Sequence, residues 1–212
     1  MPELNDLTQA IVDGKRKEAV DLTRQALDAG ADPSDVLDAL IAGMEKIGAM
    51  WKANEVFVPE VLVAARAMKE SMQILEPLLA EGGVKASATA IIGTVKGDLH
   101  DIGKNLVAMM WKGANIDVID LGTNVDPEKF VTAAKESGAK VIGLSALLTT
   151  TMPAMKEALD TIRKAAELNG IKVIVGGAPI TQSYADEIGA DAYAPDAVTA
   201  VDRVKELVSV PA

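Results

Sequence analysis

The stretch "ATAIIGTVKGDLHDIGKNLV", residues 88–107, decides the fold of this chain. Ala88 to Val95 is a run of small and β-branched apolar residues, the pattern of a strand buried on both faces. Lys96, Gly97 and Asp98 break the run, and a helix is predicted over Ile102–Lys112. A strand that passes into a helix through a short polar loop is half of a βαβ unit.

The same alternation continues towards the C-terminus. Further strands are predicted at "IDVIDLG", "KVIGLSA", "KVIVGG" and "ADAYA", with helices at Pro127–Ser137, Pro153–Leu168, Ile180–Ile188 and Pro195–Val208. Five strands alternating with helices predict a flavodoxin-like (Rossmann-like) α/β unit with a parallel sheet. Its ligand would lie beyond the carboxyl ends of the strands, where "KGDLHDIG", "SALLTTT" and "GGAP" fall. Towards the N-terminus, "EGGVKASA" breaks the pattern, and before it everything reads as helix. Gly30 suits the end of one helix; Asp32 and Pro33 suit the start of the next. Leu37, Ile41, Met44, Gly48 and Trp51 share one face of that helix, and another begins near Pro59. The predicted organisation is a four-helix bundle over 1–82, a hinge or linker over 83–87 and an α/β domain over 88–212.

About half of the 212 residues are apolar, enough for a sizeable core, and the formal net charge is −10. Such an acidic chain fits neither a nucleic acid nor an anionic membrane surface. There is no signal-peptide pattern at the N-terminus and no long apolar run, so a cytoplasmic protein is expected. The absence of cysteine removes disulfides and thiolate metal sites.

His100 is the only histidine, and Asp98 stands two residues before it. A histidine beside a carboxylate can be a general base, a metal ligand, a phosphate contact or a plain structural residue. The segment is not a phosphate-binding P-loop: five residues, not four, separate Gly97 from Gly103, and Asn105 stands where Ser or Thr would be needed. One histidine without cysteine is too few for a zinc site, and no nucleophile-elbow motif is present. A metal whose other ligands come from a macrocycle would need only one protein donor.

Asp98-x-His100-x-x-Gly103 resembles the D-x-H-x-x-G signature of cobalamin-binding domains. In that family S-x-L follows about forty residues later, then a Gly-Gly pair. Here forty-one residues separate Gly103 from Ser145, Leu147 completes S-x-L, and twenty-eight residues lie between Leu147 and Gly176-Gly177. The helical half is similar too. "MEKIGAMWKANEVFVPEVLVAARAMKESMQILEP" resembles the cap beside the corrinoid domain of methionine synthase and of small corrinoid methyl carriers, with Asn54-Glu55 where Gly-Glu is common.

The resemblance implies a cobalamin or related corrinoid with its base displaced from cobalt, and His100 as the lower axial metal ligand. Asp98 would hold the other ring nitrogen and Thr151 would extend the relay, which makes these three the residues closest to the chemistry. Gly97, Leu99, Asp101 and Ile102 belong to the same binding segment. Gly103 would let the corrin or its tail approach the backbone. Ser145, Leu147 and Thr149 would line the slot for the tail, Gly176-Gly177 would leave room for it, and Ala178 and Tyr193–Ala197 would wall it. Asp101 and Lys104 also read as helix-start and surface residues. Trp51, Phe57 and Val58 are candidates to cover the upper face; Met44, Met50, Met68 and Met72 fit that role or core packing.

The function so implied is a methyl carrier cycling between cob(I)alamin and methylcob(III)alamin. It would not be catalytic on its own. One substrate-specific methyltransferase would load it, a second would pass the methyl group to tetrahydrofolate or to a thiol such as coenzyme M, and a reductive activator would restore it. Alternatives are the small subunit of a radical mutase, a B12-dependent sensor, or a flavodoxin-like domain without corrin.

Overall fold

A computed structural model describes residues 4–83 and 86–209. They form two compact units, which divide after Ala86; the turn at 113–115 groups with the first.

The first unit holds α1 (Leu4–Val12), α2 (Arg16–Asp28), α3 (Pro33–Lys52) and α4 (Val58–Glu81). Their ends follow from local chemistry. The Asp32 carboxylate accepts the Ser34 N–H at 2.8 Å, with Pro33 in the first turn. Gly30 takes a positive φ after α2, and the Glu60 carboxylate accepts the Phe57 N–H at 3.1 Å before α4. Asn54 has φ 58°, a left-handed conformation that Asn tolerates, so its replacement of the usual glycine costs the turn little. The buried face of α3 differs from the expected one. Val36, Leu37, Leu40, Gly43, Met44, Ile47 and Gly48 are buried, whereas Ile41 and Trp51 sit at its margin. The cause is α1, whose Ile11 lies so close to Gly43 that a Cβ there would come within 2.6 Å of it. Met44 and Met68 are core residues, while Met50 and Met72 are half-buried. Of the expected linker, Val84 and Lys85 lie outside the described residues.

The second unit holds β1 (Ala88–Thr94), α5 (Ile102–Gly113), β2 (Ile116–Asp120), α6 (Pro127–Ser137), β3 (Val141–Ser145), α7 (Met152–Lys164), β4 (Lys172–Gly176), α8 (Gln182–Ile188), β5 (Ala192–Ala194) and α9 (Ala197–Ser209). The strands form one parallel sheet in the order β2-β1-β3-β4-β5, the flavodoxin-like order. Ile91, Ile142, Leu144, Val173 and Val175 pack on one face with Phe130, Met155, Leu159 and Ile162. On the other face Trp111 is fully buried, and its indole N–H donates to the Ala200 carbonyl at 2.9 Å.

Helix boundaries differ from the expected ones where a cap or turn intervenes. The helix expected over Pro153–Leu168 ends at Lys164, and a 3-10 turn at Ala166–Leu168 redirects the chain into β4. α8 starts later than expected because Thr181 caps it, accepting the Tyr184 N–H at 3.2 Å. Asp196 does the same for α9, accepting the Thr199 N–H at 2.7 Å. Among the described residues no helix is long and apolar enough to cross a membrane.

Gly143 is needed where it stands, because a Cβ there would lie 2.8 Å from the Trp111 ring. Gly143→Ala should lower unfolding stability by about 1–3 kcal/mol, the usual cost of overpacking. Urea denaturation followed by tryptophan fluorescence measures it; an unchanged midpoint would mean that the ring moves aside freely.

Candidate functional site

The strand order reverses between β1 and β3, the topological switch point at which ligands of such sheets usually bind. The loop after β1 carries Asp98 and His100. Thr94, the last residue of β1, is buried, and its hydroxyl donates to the His100 carbonyl at 2.9 Å. Gly97 turns the chain with φ 82°.

Asp98 is fully buried. One of its oxygens accepts the His100 ring Nδ1–H at 2.7 Å and the His100 backbone N–H at 3.1 Å. The other accepts the Leu147 N–H at 2.7 Å, the Thr151 hydroxyl at 2.8 Å and, more distantly, the Leu148 N–H at 3.4 Å. Burial by itself pushes the Asp98 carboxyl up. The donors from Leu147, His100 and Thr151 together outweigh it and hold the group well below the usual carboxylate range. The Asp98 carboxylate faces Nδ1 of His100, which places the ring proton there and leaves the Nε2 lone pair uncommitted.

The His100 side chain is 50% exposed. On either side stand two apolar side chains that water would not select, Leu99 at 73% exposure and Ile102 at 83%. Leu147 and Leu148 are exposed at the neighbouring loop. Gly103 begins the α5 surface with no atom within 4 Å of where a Cβ would be, so its backbone is open to a ligand. A single imidazole with its second nitrogen engaged, in an apolar and partly open setting, suits a flat macrocycle that brings its own equatorial ligands. Among the described residues no group of three or more His, Cys, Asp or Glu could hold a metal ion by itself.

The structure brings Gly97, Asp98, Leu99, His100, Asp101, Ile102 and Gly103 into one segment and sets Leu147 and Thr151 against it. Ser145 ends β3, paired with Thr94 on one side and Gly176 on the other, and Thr149 opens an exposed 3-10 turn. Ala178 is exposed, whereas Ala197, the first residue of α9, is buried. Lys104 is not a surface residue. It is 3% exposed, and its ammonium donates to Asp120 at 2.5 Å and to Asn105 at 2.6 Å. Gly176-Gly177 have a reason that needs no ligand: a Cβ at Gly177 would lie 1.8 Å from the Ala146 carbonyl oxygen, and one at Gly176 would lie 2.9 Å from that of Ala194. Sequence reasoning missed Thr94, Leu148 and Asn124. Asn124 has φ 52°, accepts the Gly97 N–H at 2.8 Å and donates its own N–H to the Asp98 carbonyl at 2.9 Å. The only signal for it was an Asn in the loop after β2.

Family models described as B12 binding domain match residues 88–202 and 3–76. The chain belongs to the B12-binding corrinoid proteins. It is 42% identical over 211 residues to a corrinoid protein of Desulfitobacterium hafniense strain Y51, covering 98% of each chain. It is 39% identical over 208 residues to dimethylamine corrinoid protein 1 of Methanosarcina acetivorans, covering 97% of each. Among solved structures it is similar to the methanol:cobalamin methyltransferase complex of Methanosarcina barkeri, with a TM-score of 0.86 and 29% identity over 99% of this chain and 81% of that one. This corrinoid protein binds cobalamin or a related corrinoid, and the open apolar face around His100 fits one.

Two predictions follow from the geometry. Gly177 has φ 127° as well as the backbone contact, so Gly177→Ala should destabilise the corrinoid-free protein by more than about 2 kcal/mol. Parent-like thermal unfolding of the variant would show that the loop yields and that Gly177 serves a ligand alone. The depressed Asp98 carboxyl stabilises the fold fully above its unfolded value of about 3.9 and loses that contribution as the pH falls through the lower folded value. Asp98→Asn should therefore be less stable than the parent at pH 6, with the gap narrowing on acidification below about pH 4. A gap constant from pH 6 to pH 3 in urea titrations would contradict the assignment.

Proposed function

We propose that this corrinoid protein carries a methyl group between two methyltransferases, with His100 as the residue that would hold the cobalt. The observation that carries the reading is the ring of His100: Nδ1 engaged by the buried Asp98 carboxylate, Nε2 free, and exposed Leu99 and Ile102 on either side. When bound, the corrinoid supplies a cobalt centre that accepts and gives up the methyl group.

The residues of the chain divide the remaining work. His100 supplies one donor atom. Asp98 holds the Nδ1 proton and so fixes the tautomer and direction of the ring. The single hydroxyl proton of Thr151 is shared between Asp98 at 2.8 Å and the Leu148 carbonyl at 2.9 Å, which ties this relay to the loop after β3. Gly97, Asp101, Gly103, Ser145, Leu147, Thr149, Gly176, Gly177 and Ala178 remain the proposed surround of the cofactor. Ala197, buried as it is, would act only by shaping the backbone. Residues 1–82, 83–87 and 88–212 are proposed as helical cap, connection and corrinoid domain.

The relatives supply the system. Their names refer to dimethylamine and trimethylamine corrinoid proteins, and the similar solved structure is a methanol:cobalamin methyltransferase complex. We therefore propose a substrate-specific methyltransferase as the loading partner. A second enzyme would transfer the methyl group to tetrahydrofolate or a thiol such as coenzyme M, and a reductive activator would rescue oxidised protein.

His100 is the only histidine, which makes the test direct. The full chain, labelled with 15N-histidine and loaded with cob(II)alamin, should show the hyperfine splitting of a 15N ligand in electron paramagnetic resonance. His100→Ala should abolish that splitting while keeping the parent far-ultraviolet circular dichroism. A spectrum indifferent to the label in the parent protein would overturn the ligand assignment.

A further inference from the structure

We propose that the loop after β2 is a two-point clamp that presets the segment bearing His100, and that Asn124 is its positioning residue. The proposal rests on His100 as the axial ligand; Asn124 itself touches neither the ring nor the Asp98 carboxylate.

The clamp is built from β2's continuation. Beyond Asp120 the chain stays beside β1: Thr94 N–H donates to the Gly122 carbonyl at 2.9 Å, Val125 N–H donates to that of Thr94 at 3.0 Å, and Val95 and Val125 form a parallel bridge. This brings Asn124 against the start of the His100 segment. There it holds two successive residues of the loop: its side-chain oxygen takes the Gly97 N–H and its backbone N–H gives to the Asp98 carbonyl. At the far end of the segment, Asp120 binds the buried Lys104, while its other oxygen accepts the Gly122 N–H at 2.9 Å. Lys104 also bonds Asn105, whose amide donates to Asp101 at 2.9 Å. His100 lies between the two pinned ends.

The consequence is preorganisation. A glycine-containing loop has many conformations, and ordering it at the moment of binding would weaken the ligand bond. Here the ordering is done by folding. The left-handed backbone of Asn124 is one that asparagine or glycine adopts readily, so Asn124→Gly keeps the turn and removes only the side-chain acceptor. Asn124→Asp keeps an acceptor at the same place.

Two readouts test this in the full chain. Without cofactor, the Gly97 amide should exchange with deuterium at least about tenfold more slowly in the parent than in Asn124→Gly, as expected for loss of one hydrogen bond. After loading with hydroxocobalamin and reduction to cob(II)alamin, Asn124→Gly should lose part of the histidine-coordinated signal, and Asn124→Asp should restore it. Equal Gly97 exchange in parent and variant, or an undiminished histidine signal in Asn124→Gly, overturns the clamp. If Asn124→Gly does not fold, Gly97 is compared with its exposed neighbour Lys96 in the parent, and equal protection rejects the proposal. Absence of histidine coupling in the parent would instead reject the His100 assignment, with the exchange comparison still judging the clamp.

Discussion

A carboxylate taken wholly out of water must be repaid in hydrogen bonds, and Asp98 sets that demand on the α/β unit. Its own loop gives it the ring and backbone of His100, but not enough donors to make burial tolerable. The rest come from Leu147, Leu148 and Thr151, about fifty residues later in the chain. They can reach it only because β3 lies directly beside β1. The sheet order, the two loops at the switch point and the orientation of His100 thus answer to one charge. An error in any of them would strand that charge in an apolar interior, a cost large against the small net stability of a domain.

This dependence explains which parts of the site were legible in sequence. Asp98 and His100 are two residues apart, so their pairing is local and shows in a short motif. Thr151 carried no local signal and entered only through family resemblance. Lys104 was misread because a lysine at the start of a helix usually points outward. Its partner Asp120 lies on the next strand, and the pairing exists only once β1 and β2 are side by side. Asn124 was missed for the same reason. Ala197 was expected at a pocket wall from its place near a strand end; its burial at the start of α9 was not legible from that place. The Gly-Gly pair was visible, yet its close approaches to the Ala146 and Ala194 carbonyls were not: a tail slot and a tight backbone contact ask for the same residue.

In the helical unit the four helices and their ends were readable because caps are local chemistry: Asp32, Pro33 and Gly30 stand where the rules put them. The buried face of α3 was harder. Helical spacing identifies a stripe to within one position, and the neighbour that lies against it chooses the centre. Gly43, small enough to admit Ile11, made that choice, so the core is centred one position away from the expected line.

The arrangement around His100 also accounts for the economy of the site. A protein that encloses a metal alone must place three or four donors with the right geometry, and histidine or cysteine must recur in its sequence. A macrocycle removes that requirement. The remaining task is to set the direction and tautomer of one imidazole while keeping the exposed edge apolar. A buried carboxylate does the first from below, and Leu99 and Ile102 do the second from beside. The buried charge of Asp98 fixes one nitrogen of the imidazole, and the exposed hydrocarbon of Leu99 and Ile102 flanks it in the chain. On the proposed reading one histidine suffices, because Asp98, with its donors from Leu147 and Thr151, holds that histidine in place.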